Sequence, residues 1–444
     1  MPRSRRFGRS LHPLAAVALL VLLLGSSPVA AGGGRSLGPV ALGFPAGDDW
    51  EPAIAADRFG HVYALWTHYG ADAACPGCAS PHMELQISAD AGRSWSTPRP
   101  LAVSAERQDD PQIVVDPVDG RTVYAAFMQG GQASEYVARS DDFGVSWTPV
   151  LVEPLQRGTD KDTLTARGND VYLVYHTQQK IYASISHDRG ATWTLGQPID
   201  NTNSKYGVSL PSGGAIDSHG TVYYAWNGVN RPGQAKGTIN LYVTRSTDGG
   251  LTWVTSRVDV SQAAAPCDCG GWDWWGSQMA LAVDGRDRVY VLWNANREQY
   301  APTRLYVARS LDGGASWVDR QDVSLAPAGT NNVFPALAAT GDGDVRIAWQ
   351  DDRNGHDAGG NDPAARWNTW YRTSGDGGLS WSAETQLSRY LAGYAYKLAT
   401  PNDGYLQPYG DYFELDIDGS GRTHALWGEG NSYIGPGNVW YARP

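Results

Sequence analysis

The chain has 444 residues and a formal net charge of −11, with 18 tryptophans, 23 tyrosines and 53 glycines. This acidity argues against nucleic acid and anionic membrane surfaces as partners, because both attract basic proteins. Past the first 31 residues no stretch is apolar enough to insert into a membrane, and we expect a monomer with an aromatic, polar surface.

The first 31 residues have the composition of a secretion signal. A segment with four arginines precedes an apolar run, Leu14 to Leu24, and a small-residue cleavage site at Val29-Ala30-Ala31. The apolar run is too short to span a bilayer. We expect cleavage near Ala31, a secreted or periplasmic location, and one domain over residues 32–444. Removing the four arginines takes the formal charge from −11 to −15.

One eight-residue motif, Ser-x-Asp-x-Gly-x-Ser/Thr-Trp, occurs six times at intervals of 46 to 64 residues. The copies are Ser88–Trp95, Ser140–Trp147, Ser186–Trp193, Ser246–Trp253, Ser310–Trp317 and Ser374–Trp381. Each follows an alternating strand and precedes another extended segment, which predicts a hairpin turn. Asp accepts hydrogen bonds from turn amides, Gly adopts positive φ, and Trp buries its ring. Repeats of this period predict a β-propeller.

Each repeat contains an inner strand, a D-x-x-G type turn and a second strand that ends in an aromatic residue. There are seven such aromatics: Trp66, Phe127, Tyr175, Trp226, Trp293, Trp349 and Trp427. The seventh unit lacks a fourth strand, which the segment around Val40 can supply. The pattern therefore predicts an all-β, seven-bladed β-propeller closed by the N-terminal strand. We interpret the aromatic column as core.

Four cysteines form two close pairs, Cys75/Cys78 and Cys267/Cys269. In an exported protein such pairs favour disulfides, with three pairings open, and no free thiol is expected. A four-thiolate metal site is the alternative.

The inner strands begin around the central axis, so the residues at their starts should converge on one spot. Candidate acids there are Asp110, Asp162 and Asp411, and candidate ligand-binding residues are Glu51 and Gln278. Converging like charges raise carboxyl pKa values, as an acid catalyst needs. Two alternatives stay open: the acids pair with basic residues (Arg107, Arg157, Lys161 and Arg353), or a structural calcium ion binds among them. No other cofactor is expected.

Long loops on the face away from the repeated turns carry further candidates, because a rigid scaffold displays function on its loops. One loop contains Trp272, Trp274 and Trp275, which can stack on sugar rings. Another contains Tyr394 and Tyr409, and a third contains Arg353. Tyr409 is also a candidate nucleophile.

The repeated motif is the Asp-box, or bacterial neuraminidase repeat, and the chain resembles secreted bacterial proteins of the sialidase-like superfamily. That resemblance implies a propeller with six blades in sialidases, which is the alternative blade count. It also implies a site with three arginines, an acid and a tyrosine nucleophile. Here the first inner strand has Glu51-Pro52 where sialidases have an arginine motif. A carboxylate at that position would repel sialic acid, so sialidase activity is not expected.

Two functions follow from these residues. One is a glycoside hydrolase that acts on extracellular glycans through an axial carboxylate pair. The other is a non-catalytic propeller that binds a glycan, a glycoconjugate or a protein on its loop face.

Overall fold

The computed structural model describes residues 36–154, 158–177, 180–200, 208–229, 238–263, 278–353, 367–388, 412–430 and 436–444. All of them lie within one compact unit, Gly34–Pro444. This part of the chain is built of β-strands, and a search of it finds no helix capable of crossing a membrane.

The strands form seven four-stranded antiparallel sheets, each one blade of a propeller. Blade 1 is β2–β5 (Asp48–Ala56, Val62–Tyr69, His82–Ser88, Arg99–Pro100), and blade 2 is β6–β9 (Gln108–Val115, Val123–Gln129, Ser134–Ser140, Thr148–Glu153). Blade 3 is β10–β13 (Thr159–Arg167, Asp170–Thr177, Lys180–Ser186, Gln197–Pro198), and blade 4 is β14–β17 (Val208–Ile216, Val222–Val229, Ile239–Ser246, Val254–Ser261). Blade 5 is β18–β21 (Met279–Val283, Val289–Ala295, Arg304–Ser310, Val318–Asp322), and blade 6 is β22–β25 (Asn332–Thr340, Asp344–Asp351, Asn368–Ser374, Thr385–Gln386). Blade 7 combines β26–β28 (Phe413–Ile417, Thr423–Gly430, Gly437–Arg443) with β1 (Leu37–Ala41).

The predicted closure by the N-terminal strand is confirmed. β1 pairs antiparallel with β28, with Val40 opposite Tyr441 and Ala41 opposite Trp440. The pairing continues past the strand, where the Leu42 amide donates to the Val439 carbonyl at 2.9 Å. The seven-bladed count is therefore correct, and the six-bladed alternative is wrong.

The six Asp-box turns have the predicted geometry, as the fifth copy illustrates. The Ser316 amide and hydroxyl donate to the two carboxylate oxygens of Asp312 at 2.9 and 2.6 Å. Gly314 has φ of +78°, a conformation that favours glycine, and its amide donates to Ser310 at 2.7 Å. These turns lie beside the turns between the first two strands, and the Ala91 amide donates to the Gly60 carbonyl at 2.8 Å. Both sets of turns therefore occupy one face, and the longer loops occupy the other, here called the loop face.

The aromatic column is core, as predicted. All seven side chains are at most 1% exposed, and each packs with small and branched apolar residues of its own and the adjacent blade. Burying rings of this size is the largest apolar contribution that a blade makes to stability.

Five of the seven inner strands, β2, β6, β10, β14 and β22, have a register shift that marks a bulge near the loop face. The register of β2 on β3 shifts between Trp50 and Ala53, and equivalent shifts occur in β6, β10 and β22. Glu51, Asp110 and Lys161 sit in these bulges with φ between +54° and +59°. An extra residue at such a bulge re-aims the neighbouring side chains.

Candidate functional site

A central cavity of ≈ 440 Å³ runs along the propeller axis between the inner strands. Lys161, Asp162, Gln278, Phe334 and Tyr412 line it at the end nearest the loop face. Apolar inner-strand residues such as Ile113 and Leu281 line much of the remaining wall, so the polar side chains are concentrated near the mouth.

Bulge residues at the mouth are joined from blade to blade by side chains that accept backbone hydrogen bonds. The Asp110 amide donates to Glu51 Oε2 at 3.3 Å, and the Lys161 amide donates to Asp110 Oδ2 at 2.9 Å. On the opposite side, the Phe334 amide donates to Gln278 Oε1 at 2.7 Å. Glu51, Asp110 and Gln278 therefore each support the inner strand of the next blade.

Asp110 and Asp160 form a carboxyl pair with opposite pKa shifts. Burial raises the pKa of Asp110 well above its ordinary value, and the charges of Glu51 and Asp160 add to this against the ammonium of Lys161. Burial also acts to raise the pKa of Asp160, but His176 and the Lys161 charge outweigh it and hold that pKa below its ordinary value. Asp110 therefore keeps a proton that it donates to the Asp160 carboxylate.

Asp160 is the carboxyl of this pair that solvent reaches. Its side chain is 21% exposed, whereas Asp110 is 3% exposed. His176 Nε2 lies 3.2 Å from Asp160 Oδ2. The accessible group at the mouth is thus an ionised Asp160, with a protonated acid behind it and an imidazole beside it.

Asp162 and Glu135 form a second carboxyl pair, which is fully covered. Asp162 is 2% exposed and Glu135 is 0% exposed. Burial and the charge of Glu135 raise the pKa of Asp162, and burial raises the pKa of Glu135 to about 7. Sharing one proton satisfies both groups.

Sequence reasoning missed two acids deeper in the cavity wall, Glu414 and Asp416. Glu414 accepts from the Ile54 amide and from Gln112 Nε2, both at 2.9 Å. Asp416 accepts from the Ala56 amide at 2.7 Å. Burial raises the pKa of Glu414 to about 8 and that of Asp416 to about 7. The alternation Phe413-Glu-Leu-Asp on an inner strand was the signal for them, because every second residue faces the axis.

Arginines near the mouth are engaged by acids. Arg107 Nε and Nη2 donate to the two carboxylate oxygens of Asp109, at 2.9 and 2.7 Å. Arg353 donates to Asp351 at 2.6 Å and to Glu384 at 2.8 Å. Its guanidinium also stacks 3.5 Å from the centroid of the Trp370 ring. Arg353 is therefore held by the protein, and the described arginines do not form a free three-arginine clamp.

Glu51 is placed beneath the mouth rather than on its surface. It is 3% exposed, and its Oε2 also accepts from the Thr67 hydroxyl at 2.7 Å. Gln278 is half-buried in the cavity wall.

The other predicted site residues fall outside the described ranges: Asp411, Tyr409, Trp272, Trp274, Trp275, Tyr394 and Arg157. Cys75 and Cys78 form a disulfide with each other, and the described ranges contain no free cysteine. Cys267 and Cys269 also lie outside these ranges.

Comparison with known proteins supports the same architecture. Residues 48–259 match the family model of the BNR repeat-like domain. A xyloglucanase, Xgh74A of Acetivibrio thermocellus, is 27% identical over 273 residues, which is 54% of this chain and 29% of that enzyme. The chain thus matches less than a third of the enzyme's length. An ulvan lyase structure of polysaccharide lyase family PL25 superposes with a TM-score of 0.51 and 9% identity, covering 91% of this chain and 95% of that one. The NanB sialidase of Streptococcus pneumoniae gives a TM-score of 0.46 with 11% identity, covering 92% and 70%.

The structure is a seven-bladed β-propeller with six Asp-box turns, and residues 48–259 of it match the BNR repeat-like domain. The propeller fold resembles that of the sialidase-like superfamily, as the repeats predicted.

Proposed function

We propose that this protein is exported and binds a neutral glycan over the mouth of the central cavity, where it acts as a glycoside hydrolase. The observation that carries the proposal is the pair Asp160 and Asp110, whose environments move their pKa values in opposite directions. In acid pairs separated in this way the residue with the lowered pKa is the candidate base, and here Asp160 would take the proton of the attacking water. The acid that protonates the leaving group would be a further residue, for which the sequence predicted Asp411, outside the described ranges.

Asp160 is the residue that reaches the substrate in this proposal. It is ionised and partly exposed, and it immediately precedes Lys161 and Asp162, which line the cavity. Asp110 acts through Asp160, because its proton stabilises and orients the exposed carboxylate. The carbohydrate-active relatives, a xyloglucanase and an ulvan lyase, support a glycan as ligand.

A non-catalytic glycan-binding propeller is the second candidate, and the burial of the acids favours it. Asp110, Asp162 and Glu135 are all at most 3% exposed, and burial raises the pKa of each. Such groups can stabilise the mouth of the cavity without reaching a ligand.

The two candidates are separated by assaying turnover and binding on the same glycans. The mature protein is incubated with xyloglucan oligosaccharides, ulvan oligosaccharides and a fluorogenic sialoside, and binding is measured on a neutral glycan array. Asp160→Asn removes the exposed carboxylate. Asp170→Asn is the matched control, because Asp170 also contacts a histidine, His187 at 2.7 Å, at a turn of the same blade on the opposite face.

The glycoside hydrolase is supported if the protein hydrolyses a neutral glycan, Asp160→Asn abolishes this activity and Asp170→Asn preserves it. Binding without turnover that both variants retain supports the binding module. If the protein neither binds nor hydrolyses any of these glycans, both candidate functions are refuted. Sialoside turnover is not expected, because Arg107 and Arg353 are held by carboxylates.

A further inference from the structure

A cluster of potential metal ligands lies at the loop-face end of blade 1, on β4 and the loop that joins β3 to β4. One oxygen or nitrogen atom from each of Asp72, His82 and Glu84 lies within 4.8 Å of the others. Among the described residues, these three form the group of acidic, histidine and cysteine side chains whose ligand atoms all lie this close together. We propose that Asp72, His82 and Glu84 bind a divalent transition-metal ion, with Zn²⁺ preferred.

His82 is oriented as a metal ligand. Its Nδ1 lies 2.8 Å from the Ala79 carbonyl, which can only accept, so Nδ1 carries a proton and donates. Nε2 faces Glu84 Oε1, 2.9 Å away, and donates to that carboxylate in the metal-free protein. A metal ion would replace the Nε2 proton, because a ligating imidazole nitrogen must be deprotonated. A backbone carbonyl that fixes the tautomer of a ligating histidine is the usual support for such a ligand. His82 is 1% exposed, so the orientation is fixed by packing as well.

The carboxylates leave buried oxygens that no protein donor satisfies. Glu84 Oε2 and Asp72 Oδ2 are both covered and have no hydrogen-bond partner among the described residues. A His82–Glu84 ion pair would engage Glu84 Oε1 alone and leave two negative groups facing one positive group. A divalent cation supplies the missing charge and coordinates the orphaned oxygens, which would otherwise be costly to bury.

Asp72 is presented to the cluster by a turn that uses only its other oxygen. The Ala74 amide donates to Asp72 Oδ1 at 2.7 Å, and the Cys75 amide donates to the Asp72 carbonyl at 3.1 Å. The Cys75–Cys78 disulfide closes the next turn of the same loop. Oδ1 therefore holds the turn while Oδ2 remains for the metal.

A second imidazole lies alongside. His68 pairs with His82 across β3 and β4, and their ring centroids are 5.4 Å apart. His68 Nδ1 lies 2.8 Å from Asp49, which also accepts from Trp66, and His68 Nε2 is buried with no partner among the described residues. A carboxylate on one ring nitrogen and an unused second nitrogen is again the arrangement of a ligating histidine.

The ligand types select the class of metal. One imidazole with two carboxylates, and a second imidazole beside them, suits Zn²⁺ and other first-row divalent ions better than Ca²⁺, which takes six to eight oxygen ligands. Within this series, affinity for nitrogen and oxygen ligands is higher for Zn²⁺ than for Mn²⁺.

The test is metal binding by the mature protein without an affinity tag. The protein is stripped with a chelator and titrated with ZnCl₂, MnCl₂ or CaCl₂ by isothermal titration calorimetry, and its melting temperature is measured with each ion. We expect one Zn²⁺ per chain, weaker Mn²⁺ binding, weaker Ca²⁺ binding still, and a higher melting temperature with Zn²⁺. Co²⁺ substitution should give visible absorption bands that report the ligand set.

Asp72→Asn is the informative variant, because asparagine keeps the Oδ1 hydrogen bond of the turn and removes the anionic ligand. It should fold normally and lose Zn²⁺ affinity by about tenfold or more, the loss expected for a group that supports a metal site. His187→Gln is the control, since His187 is an exposed histidine beside Asp170 and should leave the affinity unchanged. Absence of stoichiometric Zn²⁺ binding, or equal Zn²⁺ affinity in Asp72→Asn, would overturn the site. Ca²⁺ binding at least as tight as Zn²⁺ would overturn the metal class.

Discussion

Glu414 makes the stability of the propeller depend on pH, and Glu414→Gln should remove that dependence. The side chain ionises near its ordinary pKa of 4.5 in the unfolded chain but at about 8 in the folded protein. Its contribution to stability is complete below pH 4.5 and is lost as the pH rises through 8. Glutamine has the same shape, can accept from the Ile54 amide, and can donate to Gln112 once that amide flips.

The size of the effect follows from the two pKa values. Raising the pKa of Glu414 from 4.5 to about 8 makes its ionisation about 4.8 kcal/mol less favourable in the folded protein. Because Glu414 is half-buried and water in the cavity screens its charge, we expect about 2 kcal/mol at pH 9. For a propeller of this length the unfolding entropy is about 0.9 kcal/mol per kelvin, so the melting temperature should rise by about 2 °C.

The assay is differential scanning calorimetry at one scan rate, on the wild type and Glu414→Gln at pH 5 and pH 9. The variant should melt with the wild type at pH 5, or slightly below it, and above the wild type at pH 9. Glu106→Gln is the control, because Glu106 is exposed and should show no such gain. An equal difference between Glu414→Gln and wild type at both pH values would refute the reasoning.

Three further outcomes are expected. Deleting residues 32–44 removes β1, leaves the edge of β28 unpaired, and should lower the melting temperature sharply in a thermal scan; an unchanged value would contradict the closure. Asp312→Ala removes the acceptor of both Ser316 hydrogen bonds and should lower the melting temperature more than Asp312→Asn, which keeps one acceptor oxygen. Thiol titration of the denatured protein should find no free thiol, and two reactive thiols would show that Cys267 and Cys269 are unpaired.

The fold was predictable because its signals are local and repeated. The aromatic at the end of each second strand and the Asp-box after six of the seven third strands can each be recognised from the residues of one blade. The seven aromatics and six Asp-box motifs also predicted that the N-terminal strand completes the last blade, which the β1–β28 pairing confirms.

The site was predictable only in part, because it depends on contacts between blades. Sequence reasoning brought Asp110 and Asp162 to the mouth of the cavity, but it did not tell which acid faces solvent. The bulge at Lys161, with φ of +59°, separates Asp160 from Asp162, so that Asp160 remains partly exposed and Asp162 packs against Glu135. Glu135 comes from the neighbouring blade and carries no motif of its own.

The pairing of β1 with β28 also dictates the order in which the ring can form. The Gly43 amide donates to the Asn438 side chain across 395 residues of sequence, so this contact depends on both ends of the propeller. During synthesis β1 emerges first and must wait, as an unpaired strand, until the last blade has been made. Pairing between strands so far apart in sequence forms slowly, because the entropy cost of bringing the two ends of the chain together comes before any hydrogen bond forms. The strands of blades 1 to 6 pair with their neighbours in sequence, so the β1–β28 pairing is the strand pairing that joins the two ends of the described ring.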